Sequence, residues 1–462
     1  MTTTLLDGGA VVTVDDEGTV QDPGWVLVND DRIAQVGGGP APAEVCRTAD
    51  EVIEVSGCAV MPGMVNGHTH LFQTLFRGLA DDKPLLDWLR DCIWPGATEL
   101  DAEAAHAAAT LGLIENLRGG ATTVVDHQYI HADPMIDDAV CRAAAEVGAR
   151  FVLARGWADR NYHPPLTESA DTVLRRIGPV VEAWHGAEDG RIRVGLAPLI
   201  PWGCSDGAMR ATVAACRSWG GSTHLHCAET AIEVEMNLEE RAVRHVDWLE
   251  SLGVLGPDVQ LAHAVWLDDG ELDLVARRDA SVVHCPVSNM YLGSGVARVR
   301  DMLDRGITVA LATDGPGSNN RQDMFEACKT AVLLQKVNQL DATVLQPEEV
   351  LAMACRNGAH LVDQGDDLGT VEPGRKADLV VVDLGSPFVA PVHRVPSALV
   401  YCATPRDVLH VMVDGHLLLR DRQLTRIDEE VALRRAEEAA QRVFTRAGIS
   451  TRLTRSGPRP AS

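Results

Sequence analysis

Short alternating runs separated by turn residues open the chain: LLDGGAVVTVDDEG, GWVLVNDDRIAQVG and EVIEVSGCAVMPG each read as strands joined by tight turns. The same texture returns near the end in GTVEPGRKADLVVVDL and VLHVMVDGHLLLRDRQL, the latter pivoting on Asp414-Gly415, a strong hairpin signal. Both ends together predict one small β-sandwich. Between them the pattern changes to apolar strands alternating with amphipathic or Ala-rich helices. The strands are AVMPGMVNGHTH, ATTVVDH, RFVLARG, RIRVGLAPL, GSTHLHCAE, VQLAHAVW, ASVVHCP and ITVALATDG. About eight strands in a βα rhythm predict an α/β fold, a (β/α)8 TIM-type barrel. The near-continuous Val, Ile, Leu and Ala fit a parallel sheet buried on both faces. The expected division is 1–58 for the first part of the sandwich, 59–367 for the catalytic barrel, 368–424 for the second part, and 425–462 for a C-terminal helix and tail. In that last segment DEEVALRRAEEAAQRVFTRAG reads as a surface helix and TRLTRSGPRPAS as a disordered end. No internal repeat or linker interrupts the pattern.

Composition narrows the function. A chain of 462 residues, 46% of them hydrophobic, is long enough for one large barrel with a smaller companion. The formal net charge of −25 argues against nucleic acid as partner, since phosphate binding needs a basic face. The N-terminus lacks the basic and apolar regions of a signal peptide, and no apolar stretch is long enough to span a membrane. A cytoplasmic protein is expected. Its 11 cysteines include no C-x-x-C pair, which fits reduced, mostly buried thiols.

Barrel active sites lie at the C-terminal ends of the strands, so the polar residues there matter most. They are His68 and His70 after the first strand, His226 and Glu229 after the fifth, His263 after the sixth, His284 after the seventh and Asp314 after the eighth. A lone histidine is more often structural than a ligand, but so many on one rim reverse that expectation. Residues i and i+2 of a strand share a side, so His68 and His70 aim two imidazoles at one point. His68, His70, His226 and Asp314 are read as the ligands of one divalent metal ion, Zn²⁺ for preference, with Fe²⁺ and Mn²⁺ as alternatives. Two-metal barrel hydrolases often bridge their ions with a carboxylated lysine on a middle strand. The lysines here are Lys83, Lys329, Lys336 and Lys376, none on a middle strand, so a single metal is favoured. Glu229 follows His226 by three residues and suits a proton shuttle; the alternative is a helix-capping or surface glutamate.

The pieces PGMVNGHTH, HLHCAET, LAHAVW, HCPVSNMYLGSG, TDGPGSNN and GTVEPGRKADLVVVDL run in an order that resembles the amidohydrolase superfamily over nearly the whole chain. Within it the likeness is to the branch of guanine, 8-oxoguanine, pterin, adenosine-derivative and s-triazine aminohydrolases. The resemblance implies a mononuclear metal and hydrolytic loss of an exocyclic amino group as ammonia. It gives Asp314 the role of ligand and base toward water, Glu229 that of shuttle, and His263 that of hydrogen-bond partner to the nucleophile or tetrahedral intermediate. Homo-oligomers are common in such a group, and the implied partners are a small heterocyclic amine and water.

For the substrate the resemblance divides. RGLADDKPLLDWLRDCIWP and SNNRQDMFEACKTAVLLQK are similar to deaminases of S-adenosylhomocysteine or methylthioadenosine. Those enzymes usually carry a histidine after the fourth strand where this chain has Leu199 in APLIPWG, a loss that disfavours a ribose-bearing substrate. Gln73 in HLFQTLFRG is similar to the L-Y-Q-T pattern of base deaminases, whose amide reads the heterocycle edge, and Asn289 in HCPVSNM also resembles that group. A free base or base-like ring is therefore the favoured substrate, with an adenosine-type nucleoside as the alternative and a catalytically dead scaffold as a third reading. Arg155 either contacts substrate or makes a surface salt bridge. Trp88 and Trp202 either stack on a flat ring or fill the core. His284 is expected to contact substrate, and His127 is left outside the metal set as a supporting or merely structural residue.

Overall fold

The computed structural model describes residues 2–450. Eight parallel strands follow one another in chain order around a TIM-type barrel: Met64–Thr69, Ala121–Gln128, Arg150–Trp157, Ile192–Pro198, Thr223–Cys227, Val259–His263, Ser281–His284 and Val309–Leu311. All but one of their residues, Arg193, are buried, as expected of strands covered by helices outside and side chains within. The ring closes beyond the last strand, where Asp314 N donates to His68 O at 3.0 Å and Thr313 N to Asn66 Oδ1 at 3.0 Å. The run AVMPGMVNGHTH holds two strands rather than one. Cys58–Pro62 pairs outside the barrel, and Gly63 stands between it and Met64–Thr69 at a point where a Cβ would lie 2.1 Å from Thr122 Oγ1.

Both ends of the chain share a second, nine-stranded mixed sheet. Its seam is Leu379–Asp383, antiparallel to Cys58–Pro62 on one side and to Val408–Val413 on the other. The hairpin at Asp414-Gly415 forms as read, with both residues at positive φ (46° and 75°) between Val413 and His416. Gly415 has a second reason to be glycine: a Cβ there would meet Asp30 O at 1.7 Å, so the two terminal segments touch backbone to backbone.

The helix Glu429–Arg446 lays Ala432, Ala436, Ala439, Ala440, Val443 and Phe444 inward, against Ala102–Arg118, and Phe444 meets Phe76 edge-on at 5.1 Å. It is therefore an outer layer of the barrel and only half a surface helix. The segment TRLTRSGPRPAS lies outside the described residues. Nine cysteines are buried, Cys46 is half-buried and Cys402 exposed; none is paired among the described residues. No described helix is long and apolar enough to cross a membrane.

Candidate active site

The strand ends bring His68, His70, His226 and Asp314 into contact. Asp314 Oδ1 lies 3.4 Å from His68 Nε2 and 3.2 Å from His70 Nε2, and His226 Nε2 is 3.3 Å from His70 Nε2. Each of the latter two imidazoles is held from behind. His70 Nδ1 lies 2.7 Å from His127 O and His226 Nδ1 2.7 Å from Leu199 O. A carbonyl only accepts, so both Nδ1 atoms carry the proton and both Nε2 lone pairs face the centre. Burial pushes the His68 and His226 pKa values well below the usual histidine range, keeping the rings neutral, the form that binds a metal. His68 Nε2 is buried without a hydrogen-bond partner. Two trios, His68/His70/His127 and His68/His226/His263, offer ligand atoms within 4.8 Å of one another. Neutral imidazoles with one carboxylate are the donor set of a borderline divalent cation, and the residues present fit one.

Asp314 is the carboxylate of this cluster, and three donors hold it. Ser288 Oγ and Ser318 Oγ donate to Oδ2 at 2.5 and 2.9 Å, and Gly315 N to Oδ1 at 2.6 Å. Asp314 (φ 62°), His263 (69°), Ala228 (47°) and Ala264 (49°) all sit in the left-handed region. Such strain costs about 1–3 kcal/mol per residue and persists where the surroundings impose it.

A cavity opens onto this cluster. His70, His226, Glu229, His263 and Asp314 form its polar end, and Trp88, Leu199 and Trp202 its apolar walls. Glu229 receives Ser294 Oγ at 3.0 Å and stands 3.6 Å from His263 Nε2. Burial and the Asp314 charge push its carboxyl up to about 8, so it carries a proton at neutral pH. Asn289 Nδ2 lies 3.0 Å from His263 Nδ1; the amide nitrogen donates, which leaves the proton of His263 on the unpartnered Nε2. His263 thus faces the cavity as a donor, and Asn289 acts by orienting it rather than by lining the cavity.

Three sequence expectations do not survive the geometry. Gln73 does not line the cavity: its Nε2 donates to Tyr129 Oη at 3.1 Å and its Oε1 accepts from Gly317 N at 3.1 Å, so neither end is free to read a heterocycle. It holds the loop after the eighth strand so closely that a Cβ at Gly315 would lie 2.1 Å from Oε1. Arg155 is fully buried on the outer side of the third strand, bonded to Glu168 at 2.6 Å and Asp137 at 3.3 Å, neither a surface residue nor a substrate contact. His284 is buried with both ring nitrogens unpartnered and does not line the cavity.

Other residues were missed. Tyr129 and Tyr162 line the cavity, and so does Glu233, which caps the helix Ala231–Arg241 and lies 3.3 Å from Trp202 Nε1. Tyr129 follows His127 by two residues, a same-face signal just past the end of the second strand. Tyr162 and Glu233 sit on loops and helix starts where no periodicity marks them. His127 stacks on His226 with ring centres 4.7 Å apart, inside the cluster from which its sequence position excluded it.

A sequence profile of the amidohydrolase family matches residues 59–418. The chain belongs to the amidohydrolase family. It is a hydrolase acting on carbon–nitrogen bonds, and its relatives place it among the deaminases. A 5'-deoxyadenosine deaminase of Methanothermobacter thermautotrophicus is 42% identical over 417 residues, 90% of this chain and 94% of that protein. A 5-methylthioadenosine/S-adenosylhomocysteine deaminase of Desulforudis audaxviator is 39% identical over 422 residues, 91% and 95% of the two chains. Among solved structures, an adenosine deaminase from Xanthomonas campestris with bound zinc superposes with a TM-score of 0.89 at 31% identity, covering 96% of this chain and 98% of the other.

Proposed function

We propose that this protein is a metal-dependent deaminase of an adenine nucleoside whose 5' position is deoxygenated or carries an apolar substituent. The observation that carries the reaction is the placement of Glu229, a buried carboxyl 3.6 Å from His263 Nε2 that lines the same cavity as Asp314 and whose pKa burial and the Asp314 charge push up to about 8. The substrate rests on the relatives acting on 5'-deoxyadenosine and methylthioadenosine. It takes the nucleoside alternative, which those relatives favour, in place of the free base, and Gln73, one of the residues that argued for a base, has other work. Its amide is engaged at both ends. Trp88, Tyr129 and Trp202 offer flat faces to a purine, and Leu85, Leu89 and Leu292 offer an apolar surface to a methyl or thioether group.

His68, His70, His226 and Asp314 would hold the ion. When bound there, a Zn²⁺ ion supplies Lewis acidity and lowers the pKa of water to about 7. Asp314 accepts a proton from the attacking water. Glu229 gives its proton to the ring nitrogen beside the amino-bearing carbon, making that carbon electrophilic. His263 Nε2–H donates to the oxygen as the carbon becomes tetrahedral. The proton taken from water then goes to the amine, which leaves as ammonia, while the proton left on the added hydroxyl returns to Glu229 and the ring keeps the oxygen as a carbonyl.

Ammonia release by the zinc-loaded protein from 5'-deoxyadenosine, methylthioadenosine, S-adenosylhomocysteine, adenosine, guanine and 8-oxoguanine tests this. The first two are expected to exceed the free bases in kcat/KM by about tenfold or more. The reverse ranking would overturn the substrate class.

A further inference from the structure

The fifth strand repeats the spacing of the first: His224 precedes His226 by two residues, as His68 precedes His70. Its inner residue does something else. His224 Nε2 lies 2.7 Å from His68 Nδ1, and its Nδ1 lies 2.8 Å from Gln260 Oε1. Parallel pairing of the fifth and sixth strands puts His224 opposite Gln260. Gln260 Nε2 in turn donates to Leu361 O at 2.5 Å. Leu361 ends the helix Arg356–Leu361, so its carbonyl is one that the helix leaves without an internal donor. The side chains of His68, His224 and Gln260 are all buried.

The direction of every bond follows from that carbonyl. It can only accept, so the Gln260 amide nitrogen faces it; the opposite amide orientation would set two oxygens 2.5 Å apart. Gln260 Oε1 then accepts from His224 Nδ1–H, which leaves His224 Nε2 as an acceptor. His68 must therefore carry its proton on Nδ1. The two rings are nearly parallel, 13° apart, with centres 4.9 Å from each other. That is the geometry of coplanar rings joined edge to edge by N–H···N, for which a centre separation of about 5 Å is expected, rather than of a stack.

We infer that Leu361 O, Gln260 and His224 form a directional relay that locks His68 in the Nδ1–H tautomer, keeping its Nε2 lone pair on the metal centre. His224 and Gln260 are positioning residues. Without them His68 is free to place its proton on Nε2, the tautomer that cannot ligate.

The inference rests on His68 as a ligand, and chelator competition for Zn²⁺ tests both levels. His68→Ala addresses the ligand alone: wild-type affinity in it would overturn the ligand assignment whatever the relay does. Gln260→Met and His224→Leu remove the acceptor chain, and each is expected to weaken Zn²⁺ binding about 10- to 100-fold. His224→Gln can return an acceptor to the place of Nε2 and is expected to stay within about threefold of wild type, a rescue that a merely space-filling role would not produce. Wild-type affinity in Gln260→Met, or equal losses in His224→Gln and His224→Leu, would overturn the relay. Should His224→Leu fail to fold, ¹⁵N spectra of histidine-labelled metal-free wild type decide: His68 protonated on Nδ1 supports the lock, and protonation on Nε2 refutes it.

Discussion

At the base of the barrel, Arg150 clasps Asp378 through Nε and Nη2, both at 3.0 Å, and reaches Asp414 at 2.6 Å. Arg191 and Lys376 add to Asp414 at 3.5 and 3.4 Å. These charges, all buried but the half-buried Lys376, tie the first residue of the third strand to the terminal sheet, and each has an opposite partner. At the rim, the same barrel buries polar atoms without partners: His68 Nε2, His263 Nε2, and both nitrogens of His127 and of His284. The rim also holds strained Asp314 and His263. An unpartnered buried polar group costs about 1–3 kcal/mol. The base pairs its charges, while the rim gathers unpartnered ring nitrogens in one cluster for something that binds.

Substitutions should then separate by end, and the largest effects fall on the ligands. Asp314→Ala and His226→Ala are expected to lose both stoichiometric zinc and all measurable turnover while remaining folded; metal analysis and ammonia release check this, and full metal in both would break the assignment of the rim. Next comes Glu229→Gln, expected to keep zinc but lower kcat by about 10²-fold or more. The pH profile carries a sign. A carboxyl raised to about 8 keeps its proton below that pH and loses it above, so turnover limited by its donation falls as pH rises through about 8. The residual activity of Glu229→Gln should lack that limb.

Arg150→Met probes the other end. It leaves Asp378 and Asp414 buried with less compensation, and breaking such a pair costs about 3–5 kcal/mol. The thermal midpoint should drop sharply with kcat per folded molecule unchanged. A variant that kept its midpoint but lost activity would erase the distinction between the ends.

The two ends were not equally legible. The eight strands could be read because barrel strands buried on both faces are near-continuous apolar runs, and the meeting of His68 and His70 because two histidines at i and i+2 of a strand end must point the same way. The same i, i+2 logic applied to HLH would have found His224, but its partner Gln260 lies on another strand, and only register brings them together. Gln73 and Arg155 misled for a related reason. Their type and position matched a pattern, whereas their partners, Gly317 on a distant loop and Glu168 on the loop that follows the third strand, are set by how those loops fold back. The Arg150 cluster gave no signal at all, being built from residues up to 264 positions apart.

His284 offers the smallest and most discriminating test of the comparison. Its ring is wholly buried at the end of the seventh strand with neither nitrogen bonded, and burial pushes its pKa down to about 3, so it is neutral throughout the physiological range. A neutral imidazole still buries one donor and one acceptor, and a hydrocarbon of similar size removes that penalty. His284→Leu is therefore expected to stabilise the protein by about 1–3 kcal/mol, less whatever misfit the branched side chain brings, and to lower kcat/KM if the rim needs the ring. Urea unfolding of the zinc-loaded protein beside steady-state kinetics reads both. Gained stability with lost activity would sharpen the contrast, because the free valence would then be kept for function. A loss of stability as large as that of Arg150→Met would mean that His284 is satisfied in the folded protein, and that rim and base are stabilised alike.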